Sequence, residues 1–220
     1  MSASYLDDLS LRSFPHASRR SAVVATEGVV ATSQPLAAQA GLGVLADGGN
    51  AIDAAIAAAA ALTVVEPTSN GLGSDAFAIV WDGERLHGLN GSGRWPAGAD
   101  VEAIRAAGHT DFPDWGWSAV TVPGAIDSWA VLHERFGSLP IDRLLAPALR
   151  YADRGHALAP VVAHAWSRAA EHYPNLGLSE VGDWATVFAP GGRAPRAGER
   201  WASPGPVSYT HLTLPTKRIV

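Results

Sequence analysis

Residues 28–93 read GVVATSQPLAAQAGLGVLADGGNAIDAAIAAAAALTVVEPTSNGLGSDAFAIVWDGERLHGLNGSG. Pro35 stands where a helix can begin, because the first turn has amides with no intrahelical acceptor; Ser33 or Gln34 precedes it. The apolar positions Leu36, Ala40, Leu42, Val44 and Leu45 follow, and Gly48-Gly49 closes that helix. Asn50 is suited to cap the next helix, with Asp53 near its positive end. Residues 52–64 are almost all alanine, isoleucine and leucine, so this second helix must be buried on most sides, and its small side chains allow close approach. Glu66-Pro67 ends it, and TSNGLGSD reads as a loop. Residues 76–81 (AFAIVW) then form a strand, Asp82-Gly83 a turn, and residues 85–89 the partner strand of a hairpin.

Upstream, VVATEGVVATS (residues 23–33) is a β-branched run that predicts a buried strand or hairpin pair. Downstream, residues 91–117 are loop-rich around a short helix at 101–107. Helices are expected at 124–136, 141–154 and 160–172, separated by glycine and proline turns. The order predicts an α+β or layered α/β domain over residues 23–206. Residues 1–22 read as a polar arm. Residues 207–220 (VSYTHLTLPTKRIV) break abruptly from the preceding style and read as vector or adapter text, so native sequence is expected to end near Gly205.

Composition narrows the function. The 220 residues are 47% hydrophobic and 17% charged, a globular balance. A formal charge of −5 and scattered arginines give no footprint for nucleic acid. The absence of cysteine removes disulfides, thiol nucleophiles and thiolate metal sites. The N-terminus has early aspartates and no apolar run, unlike a secretory signal. The apolar stretch at 54–65 falls short of the roughly 20 residues a membrane span needs. A soluble cytoplasmic protein without nucleic-acid or membrane partners is the expectation.

The motifs divide by the chemistry their order allows. GLGSDAF (residues 71–77) has its glycines after a helix and before a strand, the reverse of a phosphate-binding loop; it is better read as a place where backbones approach closely. His109 with Asp111 and Asp114 is the nearest approach to a metal constellation, and solvated turn residues explain it better. His133-Glu134 reads as helix-surface polarity, and His164 and His172 flank a helix surface. Trp115, Trp117 and Trp129 could line a pocket or pack a core. No serine sits in a G-x-S-x-G elbow. NGSGRWP (residues 90–96) is the polar element of most interest: Arg94 stands alone among glycines, and a guanidinium can grip a carboxylate with two parallel hydrogen bonds.

Two blocks carry a resemblance, PLAAQ…VWDG (residues 35–83) and TVPGAIDSWAVLHERFGSLPIDRLLAPALRYADRGHALAP (residues 121–160). In that order they resemble the start of the large subunit of γ-glutamyltransferases (γ-glutamyl transpeptidases), and the likeness covers residues 23–201. The resemblance implies an N-terminal-nucleophile hydrolase fold, an αββα sandwich, of which this chain holds an incomplete, large-subunit portion. It implies a self-cleaving precursor whose new N-terminal threonine attacks an amide and forms an acyl-enzyme, resolved by water or an acceptor amine, as in glutathione breakdown. It implies no metal or organic cofactor. Its partners would be the small subunit of the same precursor and a small-molecule amide or γ-glutamyl substrate. No threonine here matches the family's cleavage motif, so the nucleophile is expected beyond this chain and the chain alone is expected to be inactive.

In the family's best-known members an Asp-Phe-Arg-Glu loop before Ala-Pro supplies an arginine for the substrate α-carboxylate. Aligned on Pro96, that arginine falls on Ser92, and Arg94 lies two positions later. Arg94 is the candidate carboxylate contact, with Asn90 and Ser92 shaping the loop. The departure also resembles a divergent branch acting on small amides such as oxamate, which is the alternative substrate class. A non-catalytic binding or assembly domain is the third reading.

Overall fold

A computed structural model describes residues 22–203. The expected tail at 207–220, and all of the expected arm but residue 22, lie outside the described residues. Helix α1 spans Pro35–Ala46 and α2 spans Ala51–Val65. Gln34 caps α1, its Oε1 accepting from the Leu36 amide at 2.5 Å. α2 opens on a capping box: Asn50 Oδ1 accepts from the Ile52 and Asp53 amides, and the Asp53 carboxylate accepts from the Asn50 amide at 3.0 Å.

Of the apolar positions in α1, Ala40 and Val44 enter the core, Leu36 and Leu45 pack against it, and Leu42 does not. Ala37, Ala40, Gly41 and Val44 are buried, whereas Leu42 is 45% exposed. Close packing on α2 explains this, since a Cβ on Gly41 would stand 3.0 Å from the Ala54 carbonyl oxygen. α2 buries Ile56, Val64, Val65 and most of its alanines, as its composition requires.

β1 (Ala76–Trp81) and β2 (Leu86–Gly91) form an antiparallel hairpin in register from Ala76↔Gly91 to Trp81↔Leu86. Asp82 Oδ1 accepts from the Glu84 and Arg85 amides and builds the turn, in which Gly83 takes φ +102°. His87, followed by the Arg85 and Glu84 amides, holds the Asp82 carboxyl well below the usual carboxylate range. One hairpin face is turned outward, with Phe77, Ile79, Trp81 and Leu86 exposed. The strand expected over residues 23–33 is not formed: that segment is irregular, and Val23 and Val24 are exposed. A strand exists through its ladder, and among the described residues no strand runs beside it.

A short helix α3 (Val101–Ala106) precedes α4 (Ala125–Phe136) and α5 (Ile141–Arg154). α5 and α4 pack with α1 and α2 around Ile56, Leu144, Leu145 and Trp129. The turn between α4 and α5 is held by Asp53, whose side chain is fully buried and accepts from the Ser138 amide at 3.1 Å, the Ser138 hydroxyl and the Leu139 amide. Burial alone would raise this carboxyl's pKa; the Ser138 hydroxyl and the Asn50, Ser138 and Leu139 amides outweigh it and hold it below the ordinary value. Asn50 reaches the same turn, donating to the Phe136 carbonyl at 2.6 Å. His133 is more than surface polarity, because its Nε2 lies 2.7 Å from the Leu139 carbonyl oxygen and ties the turn from the other side.

The C-terminal block is a smaller cluster. α6 (Pro160–His172) and α7 (Trp184–Phe188) enclose Trp166, 1% exposed, whose indole donates to the Phe188 carbonyl at 2.9 Å. β3 (His156–Ala157) pairs antiparallel with β4 (Arg200–Trp201), bringing the Trp201 ring to 4.7 Å from that of Trp166. Among the described residues no helix is long and apolar enough to cross a membrane.

Candidate functional site

The segment that follows β2 is shaped by its own side chains and by two other loops. Asn90 Oδ1 accepts from the Ser92 amide at 3.0 Å, an Asx turn that bends the chain as it leaves the strand. The Thr121 hydroxyl donates to the Ser92 carbonyl at 3.0 Å, and the Val122 amide donates to the Arg94 carbonyl at 2.9 Å. Residues 90–94 are therefore fastened to residues 121–122 through the Ser92 and Arg94 carbonyls, one held by a hydroxyl and one by an amide.

A third loop completes the junction. The Ser74 carbonyl accepts from the Gly124 amide at 3.1 Å and from the Ala125 amide at 2.9 Å, while the Ser74 hydroxyl closes its own turn on the Gly71 carbonyl at 2.6 Å. Gly124 has no side chain to cap α4, so the Ser74 carbonyl serves the first amides of that helix. This agrees with reading GLGSDAF as a close-approach loop: its backbone acceptor occupies the donors an anion would need.

Glycine is required where these loops meet. A Cβ on Gly124 would lie 2.2 Å from the Gly91 carbonyl oxygen. One on Gly93 would lie 1.9 Å from the Val122 carbonyl oxygen, and Gly93 also holds φ +79°. Beneath them the buried Ser128 hydroxyl donates to the Gly124 carbonyl at 2.8 Å.

The three expected residues are thus brought together, each in a different way. Asn90 is exposed and acts through its turn, and Ser92 contributes main chain to both of its contacts. The Arg94 side chain is exposed and makes no hydrogen bond or ion pair among the described residues. Trp95, next in sequence, packs edge-on against Phe112 with ring centroids 5.9 Å apart. Sequence reasoning did not single out Ser74, Thr121 or Gly124. The one signal available was the pair of glycine-containing loops flanking a strand and a helix start.

The other candidates separate. Trp129 is in the core, Trp115 packs on His172 and Tyr173, and Trp117 is 72% exposed. Among the described residues no group of three or more histidines and carboxylates could hold a metal ion, and His109 with its aspartates forms no such group. A cleft of about 370 Å³ lies between the start of α1 and the end of α5, lined by Gln34, Tyr151 and His156. Burial pushes the His156 imidazole pKa down, and the Tyr151 carbonyl opposes this.

Comparison with known proteins places this chain in a family. The γ-glutamyltranspeptidase family profile matches residues 37–208. The chain is 37% identical over 182 residues to the glutathione hydrolase-like YwrD proenzyme of Bacillus subtilis, covering 81% of this chain and 33% of that protein. It is 36% identical over 192 residues to the oxamate amidohydrolase proenzyme of Klebsiella pneumoniae, covering 82% and 34%. The chain spans about a third of the length of these curated relatives. Among solved structures, a cephalosporin acylase from Bacillus halodurans matches with TM-score 0.85 and 53% identity, over 90% of this chain and 37% of that one. The Helicobacter pylori γ-glutamyltranspeptidase matches with TM-score 0.75 and 26% identity, over 86% and 54%. The architecture is accordingly a mixed helix-and-strand part of the N-terminal-nucleophile hydrolase fold. With the family profile matching most of its length and relatives above 30% identity, the chain belongs to the γ-glutamyltranspeptidase family of enzymes.

Proposed function

We propose that this chain is the large-subunit portion of a cytoplasmic enzyme that hydrolyses or transfers amide-linked acyl groups, γ-glutamyl groups first among them. Its substrate-facing element is the 90–94 loop. One observation carries the reading: the loop is fastened through its own main chain, by the Thr121 hydroxyl, the Val122 amide and the Asn90 side chain, which leaves the Arg94 guanidinium exposed and uncommitted. A guanidinium held on a fixed backbone loses little freedom when it takes a carboxylate in its fork. Relatives named glutathione hydrolase support the γ-glutamyl class. The nucleophile in this proposal is the N-terminal threonine of a small subunit from the same precursor, and the 220-residue chain alone turns over no substrate.

The test is Arg94→Ala in the complete enzyme. Loss of a charge-assisted pair should lower kcat/KM for carboxylate-bearing amides by roughly 10- to 100-fold, carried mainly in KM. Unchanged KM and kcat would remove Arg94 from the site. A second reading, a small-amide amidohydrolase, is favoured by the neutral Ser92 at the position where the best-known members carry arginine, and by the oxamate amidohydrolase among the relatives. Turnover of oxamate without turnover of a γ-glutamyl anilide would select it.

A further inference from the structure

His87, the second residue of β2, is held between two charged groups, one in the hairpin turn and one on α4. Its side chain is only 9% exposed. Its Nδ1 lies 2.8 Å from a guanidinium nitrogen of Arg135 on α4, and its Nε2 lies 2.5 Å from the Asp82 carboxylate in the hairpin turn. The Phe136 ring flanks the imidazole at 5.1 Å, and the Arg135 guanidinium sits 4.9 Å over that same ring.

A guanidinium can only donate, so Nδ1 must accept and carries no proton. Nε2 then bears the hydrogen and donates to Asp82. One tautomer of the neutral imidazole satisfies both neighbours at once. Protonation puts a hydrogen on Nδ1 facing the guanidinium: the Arg135 bond is lost and two cations stand at hydrogen-bonding distance, while Asp82 keeps its bond. The charged groups facing the ring are Asp82 from the turn and Arg135 from α4; Phe136 flanks it, and the apolar Val80, Leu89, Val131 and Leu132 lie beside the same cavity. His87, Arg135, Phe136 and these apolar residues line a cavity of about 110 Å³ between hairpin and helix, so apolar packing there is incomplete and the polar tie carries more of the docking.

We propose that His87 is a positioning residue and a proton-operated tie: neutral, it fixes β2 and the Asn90–Arg94 loop on α4, and protonated, it releases Arg135 and loosens the hairpin. The positioning role rests on the reading of that loop as the substrate-facing element; the tie itself does not.

The test compares the full chain with His87→Gln and His87→Ala by hydrogen exchange, with rates corrected for intrinsic chemistry, from about pH 8 down to about pH 5. A glutamine can accept from Arg135 and donate to Asp82 but does not titrate. In the unaltered chain, protection of the amides of residues 86–94 should fall about tenfold toward low pH, the equivalent of one charge-assisted hydrogen bond. His87→Gln should stay protected throughout, and His87→Ala should be poorly protected at every pH. Protection that does not change with pH, or an equal fall in His87→Gln, overturns the tie. In the complete enzyme, KM for a carboxylate-bearing amide should rise toward low pH and stop doing so in His87→Gln. If Arg94→Ala raises KM but pH does not, the positioning role is wrong. If Arg94→Ala leaves KM unmoved, the substrate reading is what has failed, and the exchange result still decides the tie.

Discussion

Replacing Gly124 by alanine isolates the steric demand of the three-loop junction. Gly124 sits at φ −112°, which alanine adopts without strain, so any effect comes from the added methyl group. That carbon would lie 2.2 Å from the Gly91 carbonyl oxygen, 2.9 Å from its carbonyl carbon and 3.0 Å from the Gly93 nitrogen, all main-chain atoms that no rotamer change can move. The 91–94 segment must retreat by about 1 Å, an overpacking cost of about 1–3 kcal/mol. The retreat also strains the Val122–Arg94 and Ser74–Gly124 hydrogen bonds, worth about 1 kcal/mol each. The expected destabilisation is about 2–5 kcal/mol, or roughly 4–20 °C in Tm at this chain length. Gly88→Ala is the control, because a Cβ there meets nothing within 4 Å. Thermal unfolding followed by circular dichroism measures both. A Gly124→Ala chain that melts with the Gly88→Ala chain would refute the backbone-contact reasoning. In the complete enzyme, Gly124→Ala should also raise KM, because the same shift displaces Arg94.

Asp53→Asn should destabilise the chain by about 1–3 kcal/mol at pH 7, since an amide presents a donor to amides that need an acceptor. The depressed pKa of Asp53 means that the unfolded chain takes up its proton at a higher pH than the folded one. Its stabilisation is therefore complete above the ordinary value of 3.8 and is lost as pH falls through the lower folded value. Urea titrations from pH 7 down to 3 should show this acid limb in the unaltered chain and a shallower one in Asp53→Asn; parallel curves would contradict the assignment. Ile79→Thr with Trp81→Thr acts on side chains that are 82% and 61% exposed, so stability should change by less than about 0.5 kcal/mol per site while aggregation of the isolated chain falls. Light scattering and unfolding on the same samples check this, and a large loss of stability would mean that the outward face is packed after all.

The helices were readable because their ends are written in residues with fixed habits: Pro35, Asn50 and Glu66 bound α1 and α2 where the structure has them. Asp82-Gly83 likewise announced the hairpin, although β2 starts one residue later than expected and runs two further. Residues 23–33 misled, because β-branched composition reports a preference for pleated surfaces and cannot supply the neighbouring strand. In α1 the apolar positions alone do not give the inward face, for a related reason. Leu42 outranks Gly41 on any hydropathy scale, yet contact with α2 selects the smaller residue. At the site, Asn90, Ser92 and Arg94 were visible as polar residues among glycines. The roles of Ser74, Thr121 and Gly124 were not, because a main-chain carbonyl that caps a distant helix leaves no mark in its own side chain. The ties made by His87 and Asp53 are hidden for the same reason, since each acts through a contact made far along the chain.

The tie from Asp53 to Ser138 closes a loop of 85 residues, and this has a consequence for birth on the ribosome. At synthesis rates of roughly 5–20 residues per second, the alanine-rich helix emerges roughly 4–17 s before the turn that completes its cap and the α5 residues that cover it. Helix formation itself takes on the order of microseconds, so for nearly all of that interval α2 has only α1 to shelter against. The alanines that permit tight packing in the finished fold also expose little greasy surface while the chain waits. A leucine-rich helix in the same place would spend those seconds as a target for chaperones.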